Sequence, residues 1–279
     1  MQDAFAYCAE LVRVADRDRF IASLFAPAEL RGALHALYAF NAEVARVRDA
    51  AHTALPGEIR LQWWSDVINR ERNEEARANP VAAALLATLE RHGLASGTFI
   101  DLIEARRFDL YDDPMATLAD LEGYAQRTSS SLIALAAQIL VGGDVEAITT
   151  ASAGIASGMA GILRAFPVHI ARRQLYVPAD LLERHGVHLH EVFAGCSSAG
   201  LVVALAELRN AARGHLATAN ERMMALPRQA IPALLSVALV RPLLDRLERS
   251  APFAPAEIQP WRRQWLIWRA ARNPARIAG

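Results

Sequence analysis

Lysine is absent from the 279 residues. All 30 basic side chains are arginine, and 30 aspartates and glutamates balance them, so the formal net charge is zero. A neutral chain has no global basic field with which to neutralise phosphates, which argues against nucleic-acid binding. Low hydrophobicity is missing too. Hydrophobic residues make up 53% of the chain, which with zero net charge excludes an intrinsically disordered protein. Cysteine is scarce: Cys8 and Cys196 lie far apart, form neither a CxxC pair nor a zinc spacing, and are expected to be free thiols in a reducing compartment. The start, Met1-Gln2-Asp3-Ala4-Phe5, lacks a basic stretch followed by an apolar one, so no secretory signal is expected. No stretch approaches the roughly 20 apolar residues that span a bilayer. The longest candidate, Ala230 to Val240, contains Pro232 and is closed by Arg241 and Pro242. These absences predict a cytoplasmic location, with peripheral contact at the inner membrane as the membrane-bound alternative.

Alternating runs of valine, isoleucine and threonine are also lacking, whereas alanine, leucine and arginine abound. That composition favours helix over strand. Leu30, Leu34, Leu37, Tyr38, Asn41, Val44 and Arg48 fall on helical spacing after Pro27. Further helical stretches run over Ile59–Arg70, from Asn79-Pro80 to the stop at Gly93, over Phe99–Leu110, and over Leu118–Val141 before Gly142-Gly143. Ala147–Ala171, Val202–Ala225, Ile231–Glu248 and Trp261–Arg272 follow. No Pro/Gly/Ser-rich linker divides them, so one all-α domain over residues 1–279 is expected. Gly154, Gly158 and Gly161 in the Ala147–Ala171 helix imply either close helix contacts or a helix that lines a cavity.

Two segments carry the chemistry. One is Leu37-Tyr38-Ala39-Phe40-Asn41-Ala42-Glu43-Val44-Ala45-Arg46-Val47-Arg48-Asp49. The other runs from Gly158-Met159-Ala160-Gly161-Ile162-Leu163-Arg164-Ala165-Phe166-Pro167-Val168-His169 into Arg172-Arg173-Gln174-Leu175-Tyr176-Val177-Pro178. With Tyr176-Val177-Pro178-Ala179-Asp180-Leu181-Leu182, the turn His185-Gly186-Val187 and Leu61-Gln62-Trp63-Trp64, they resemble the squalene/phytoene synthase family from about Phe20 to the last helix. The resemblance implies an isoprenoid synthase-like helical bundle around a central apolar cavity. Its walls would be the helices holding Tyr38–Asp49, Tyr124–Val141 and Gly154–Arg164. Members of the family ionise allylic diphosphates. Aspartates spaced i, i+4 on two facing helices hold Mg2+, a hard cation that prefers oxygen ligands.

This chain departs from that pattern. The paired aspartates of the first segment fall on Ala45 and Arg46, and only Asp49 remains; those of the second fall on Ala165 and His169, with Pro167 between them. Alanine offers no ligand, Arg46 would put a positive charge at the site, and histidine suits magnesium poorly. The substitutions, with Ser130-Ser131-Leu132, resemble the divergent branch that includes the mitochondrial complex I assembly factor. The resemblance therefore implies a non-catalytic protein that assists assembly of respiratory complex I by contact with NADH dehydrogenase subunits, without a cofactor. Two alternatives stay open: a prenyl transferase of isoprenyl diphosphates that uses Mg2+, and an isoprenoid- or lipid-binding protein without turnover.

Individual residues keep two readings. Asp49 is a remnant ligand or an acid paired with Arg46 or Arg48, and Glu43 is solvated or arginine-paired. His169 is a proton-active group or, the preferred reading, a satisfied interior histidine. Arg164, Arg172 and Arg173 hold an anionic diphosphate or pair internally with acids such as Asp180 or Glu183. Trp261, Trp265 and Trp268, interleaved with arginines, form a membrane-surface helix or, the preferred reading, pack two of the tryptophans in the core. His185, His188 and His190 look like a metal cluster by count, but a surface loop is the preferred reading.

Overall fold

The computed structural model describes residues 2–50, 53–143 and 145–279. Among them every regular element is helical. Helix α1 (Gln2–Ala15) buries Cys8 and Val12, and α2 (Arg17–Ser23) starts where the Asp16 carboxylate accepts the Arg19 N–H. Neither was read from the sequence. Helix α3 (Ala28–Ala45) is buried on more than one side and is followed by the single turn α4 (Val47–Ala50). Then come α5 (Ala54–Ile68), α6 (Asn73–Ala78) and α7 (Pro80–His92). The start of α7 is written in its residues: the Asn79 side chain accepts the Val81 and Ala82 N–H groups, Pro80 occupies the first turn, and Gly93 closes the helix at φ 61°.

Helix α8 (Ser96–Arg107) runs into a 3-10 turn at Phe108–Leu110. The predicted Leu118–Val141 helix is α9 (Leu118–Ala125), a π turn at Gln126–Ser130, and α10 (Ser131–Val141), which stops at Gly142 with φ 76°. The 25-residue α11 (Ala147–Ala171) continues through Pro167. It is the one helix among the described residues long and apolar enough to cross a membrane, at odds with the sequence expectation. Yet it packs against α9, α10, the π turn and the helices at Ala199–Arg222 and Val240–Glu248, so it behaves as a core helix.

After α12 (Ala179–Arg184) and α13 (Leu189–Phe193), α14 (Ala199–Arg222) begins at the Ser198 cap. The predicted Ile231–Glu248 helix is broken. It forms α15 (Ile231–Leu234), a 3-10 segment at 235–239, and α16 (Val240–Glu248). Pro242 explains the break, because its ring would collide with the carbonyl four residues back in a continuous α-helix. Helix α17 (Pro260–Arg272) closes against α2 and residues 235–239.

One contiguous core runs from Cys8 to Ala278. Its aromatic centre joins α3, α5 and α8: Phe40 meets Trp64 edge-on at 5.0 Å and Phe99 at 5.5 Å. Truncating such a ring to alanine costs about 3–5 kcal/mol. The irregular segments after residues 110 and 171 are pinned together, with the Met115 N–H on the Leu175 carbonyl and the Ala179 N–H on the Met115 carbonyl. This pairing fixes Asp109 beside Tyr176.

Candidate functional site: an arginine-rich cavity

A cavity of about 680 Å3 lies among α2, α3, α9, α11 and residues 236–243. Helical spacing sets its two facing walls. Asn41 and Ala45 of α3 continue into Arg48 and Asp49, and Ser157, Gly161, Ala165 and His169 follow one another along α11. The motif positions Ala45, Asp49, Ala165 and His169 therefore do meet across one space. Arg46 does not join them. It is exposed and lines a separate surface hollow with Glu43 and Arg60, where Glu43 pairs with Arg60 at 3.2 Å. The expected positive charge at the metal position is corrected on this point, because one residue's rotation of about 100° carries Arg46 off the stripe.

The glycines divide. A Cβ on Gly154 would stand 2.2 Å from the Ser130 Cα, and one on Gly158 would stand 2.9 Å from the Ala125 Cβ, so both serve close packing, on the π turn and on the end of α9. Gly161 has no neighbour within 4 Å of that position and leaves the cavity open.

The lining is more polar than the apolar cavity expected from the sequence. Seven arginines (17, 19, 48, 106, 164, 172 and 263) and four aspartates (16, 18, 49 and 109) face it; Leu132, Ile162, Leu239, Val240 and Leu243 supply the apolar part. Each aspartate has an arginine: Asp16 pairs with Arg19, Asp18 with Arg263, Asp49 with Arg172, and Asp109 with Arg106 at 3.1 Å. Arg48 donates to the Leu110 carbonyl and to Asp112. Arg17 and Arg164 make no ion pair among the described residues. Sequence reading missed the α2 cluster and Arg263, although the run Asp16-Arg17-Asp18-Arg19 was a visible signal.

Asp109 is the buried anchor of the site. It accepts the Tyr124 hydroxyl at 2.7 Å and the Tyr176 hydroxyl at 2.6 Å, while Gln174 donates to its carbonyl at 2.8 Å. Burial, with the Asp109 charge adding to it, pushes both phenols well above the ordinary tyrosine range, so they remain donors. His169 stacks at a tilt 4.6 Å from the Tyr176 ring. Burial pulls its pKa down to about 4 against the opposing charge of Asp109, which leaves it neutral near pH 7.

These residues do not fit the family's magnesium site. Two of the four facing positions are methyl groups, the third is a neutral imidazole, and the fourth, Asp49, is engaged by Arg172. Mg2+ demands near-octahedral oxygen coordination and is poorly served by that set. Among the anion-site candidates, Arg164 and Arg172 line the cavity. Arg173 does not: with φ 58° it turns away and lies over the Phe193 ring at 5.2 Å. Neither Asp180 nor Glu183 pairs with any of the three.

The remaining candidates are dispersed. His185 bonds Glu207 at 2.9 Å, His188 and His190 stack on each other at 5.6 Å, and no three metal-ligating side chains converge among the described residues. Cys8 is buried, with its thiol pKa pushed up to about 12 by that burial, and Cys196 is exposed; both are free thiols.

The squalene/phytoene synthase pattern matches residues 12–269. The chain is 32% identical over 248 residues to NADH dehydrogenase (ubiquinone) complex I, assembly factor 6, of Rattus norvegicus, covering 88% of this chain and 74% of that protein. It is 28% identical over 273 residues to phytoene synthase of Thermus thermophilus, covering 93% and 91% of the two chains. A dehydrosqualene synthase crystal structure superposes with a TM-score of 0.79 at 18% identity, over 97% of this chain and 96% of that one. A squalene synthase of Alicyclobacillus acidocaldarius gives 0.71 at 21% identity, over 97% and 94%. At such identities the structural likenesses speak for the fold alone.

Proposed function

Since the chain belongs to the squalene/phytoene synthase family, we propose that it is a non-catalytic member that assists assembly of respiratory complex I through contact with NADH dehydrogenase subunits. One observation carries the reading: the facing positions that would hold metal carry Ala45, Ala165, a neutral His169 and an arginine-paired Asp49. The similarity to complex I assembly factor 6 supports complex I components as the partner class. No cofactor enters. The test is deletion of the gene in its source cell. Fully assembled complex I on native gels and NADH-driven quinone reduction should both fall, and both should return with the wild-type chain and with Asp49→Asn. Unchanged complex I, together with magnesium-dependent pyrophosphate release from farnesyl diphosphate that Asp49→Asn abolishes, would instead establish a transferase.

A second reading, binding of an isoprenoid or lipid anion without turnover, is favoured by the arginine excess beside an apolar wall. Guanidinium stays charged and forks onto phosphate oxygens without metal. Calorimetric titration with an isoprenyl diphosphate should give salt-sensitive heat that a chelator leaves unchanged and that Arg164→Gln weakens by about tenfold, the loss of one charge-assisted contact. Absence of heat at low salt would leave the arginines structural.

A further inference from the structure

Helix α17 reads Pro-Trp-Arg-Arg-Gln-Trp-Leu-Ile-Trp-Arg-Ala-Ala-Arg and contains no acidic residue. Leu266, Ile267 and Ala270 are its buried face, set against α2 and residues 235–239. On the other side Trp261, Trp265 and Trp268, at i, i+4 and i+7, are 69%, 45% and 45% exposed. The preferred sequence reading, core packing by two of these tryptophans, is thereby corrected: the core side is filled by the smaller aliphatic residues. The Arg269 guanidinium lies 4.6 Å from the Trp265 ring centre, and that of Arg272 lies 4.5 Å from that of Trp268.

The surface continues beyond the helix. Between α17 and the α1–α2 corner lies a groove of about 570 Å3 lined by Phe20, Ile21, Leu24, Phe25 and Trp268, with Arg17 at its edge. No carboxylate is among its described lining residues, and Arg13, which also lines it, is held by Glu10. Arg17, Arg262, Arg269 and Arg272 have no carboxylate partner among the described residues.

We infer that this face docks on an anionic phospholipid bilayer, with the three indoles in the headgroup–acyl boundary and the unpaired arginines on lipid phosphates. The charge is complementary in sign to such a surface and opposite in pattern to the rest of the neutral chain. Indole is an interfacial side chain, with an apolar ring and a polar N–H, and arginine stems lie along apolar surface while their heads stay in the phosphate layer. The inference stands on α17 and its groove and does not depend on a role in complex I assembly. Arg17 lines both this groove and the large cavity, so docking places the Arg17 edge of the cavity beside the lipid.

Sedimentation of the full chain with vesicles tests it. Binding is expected to phosphatidylcholine–phosphatidylglycerol vesicles and not to phosphatidylcholine alone, with a blue shift of tryptophan emission and release by salt. Arg262→Gln with Arg272→Gln should weaken binding roughly thirtyfold, from the usual contribution of an arginine at an anionic surface. Trp261→Ser, Trp265→Ser and Trp268→Ser together should abolish it with the circular dichroism spectrum and melting temperature retained. Should the serine variant melt early, the arginine variant and the salt dependence decide alone. Failure of the wild type to bind anionic vesicles would give this face to a protein partner and overturn the inference. Equal binding to both vesicle types, or binding indifferent to both sets of substitutions, would overturn it as well.

Discussion

His35 sits 2.8 Å from the Ser23 hydroxyl, and that hydroxyl already donates to the Phe20 carbonyl. The imidazole must therefore donate through Nε2, which fixes a neutral tautomer stacked 5.4 Å from the Phe20 ring. Burial, helped by the Arg31 charge, pulls its pKa from 6.5 down to about 4, and burial does the same to His169. Both folded-state values lie below the unfolded one. The unfolded chain thus takes up protons that the folded chain refuses, and stability falls as pH drops from 6.5 towards 4, while it is flat above that window. Each histidine contributes at most about 1.4 kcal/mol per pH unit. Urea unfolding followed across this window should show the midpoint falling with acid, and His35→Gln with His169→Gln should flatten the profile; a wild-type midpoint insensitive to acid would contradict the burial argument. At this scale the family resemblance discloses Ala45, Asp49, Ala165 and His169 as cavity positions and misplaces Arg46, which lies off their stripe. It does not disclose the partners. Asp49 and Arg172 are separated by 123 residues, and Asp18 and Arg263 by 245, so only the packed bundle decides that the cavity's acids are all spoken for.

Helix α11 shows the same division within one element. Its length and its small-residue stripe are legible, and so is the choice between packing and cavity lining; which glycine does which is not. The Gly154 contact on Ser130 leaves no room for a methyl group, so Gly154→Ala should destabilise by about 1–3 kcal/mol through overpacking. Gly161→Ala meets nothing and removes a helix-breaking residue, so it should stabilise by up to about 1 kcal/mol. Thermal melts of the two variants should move in opposite directions, and equal shifts would refute the assignment. The π turn at Gln126–Ser130, against which Gly154 packs, escapes the sequence because one extra residue among Gln, Arg, Thr and Ser disturbs no apolar period. By contrast, the end of α10 at Gly142 and both ends of α7 are readable, since a left-handed glycine and an asparagine cap act locally.

Across the whole molecule, the all-α class follows from composition and period, and the family's fold from its two segments and the Tyr176-Val177-Pro178 stretch. The polarity of the cavity does not follow, because much of it comes from α2 and α17, helices from opposite ends of the chain whose meeting no local pattern announces. That meeting has a consequence in time. Asp18 and its partner Arg263 are 245 residues apart, and a ribosome adding about 5–20 residues per second separates their emergence by roughly 10–50 seconds. During that interval α2 has no α17 to cover it, and Asp18 in the cavity lining lacks Arg263. The nascent chain is then a half-built vessel whose last helix acts as a stopper, and the same stretch that meets the bilayer in the finished protein is the one whose late arrival ends the period of greatest risk of aggregation.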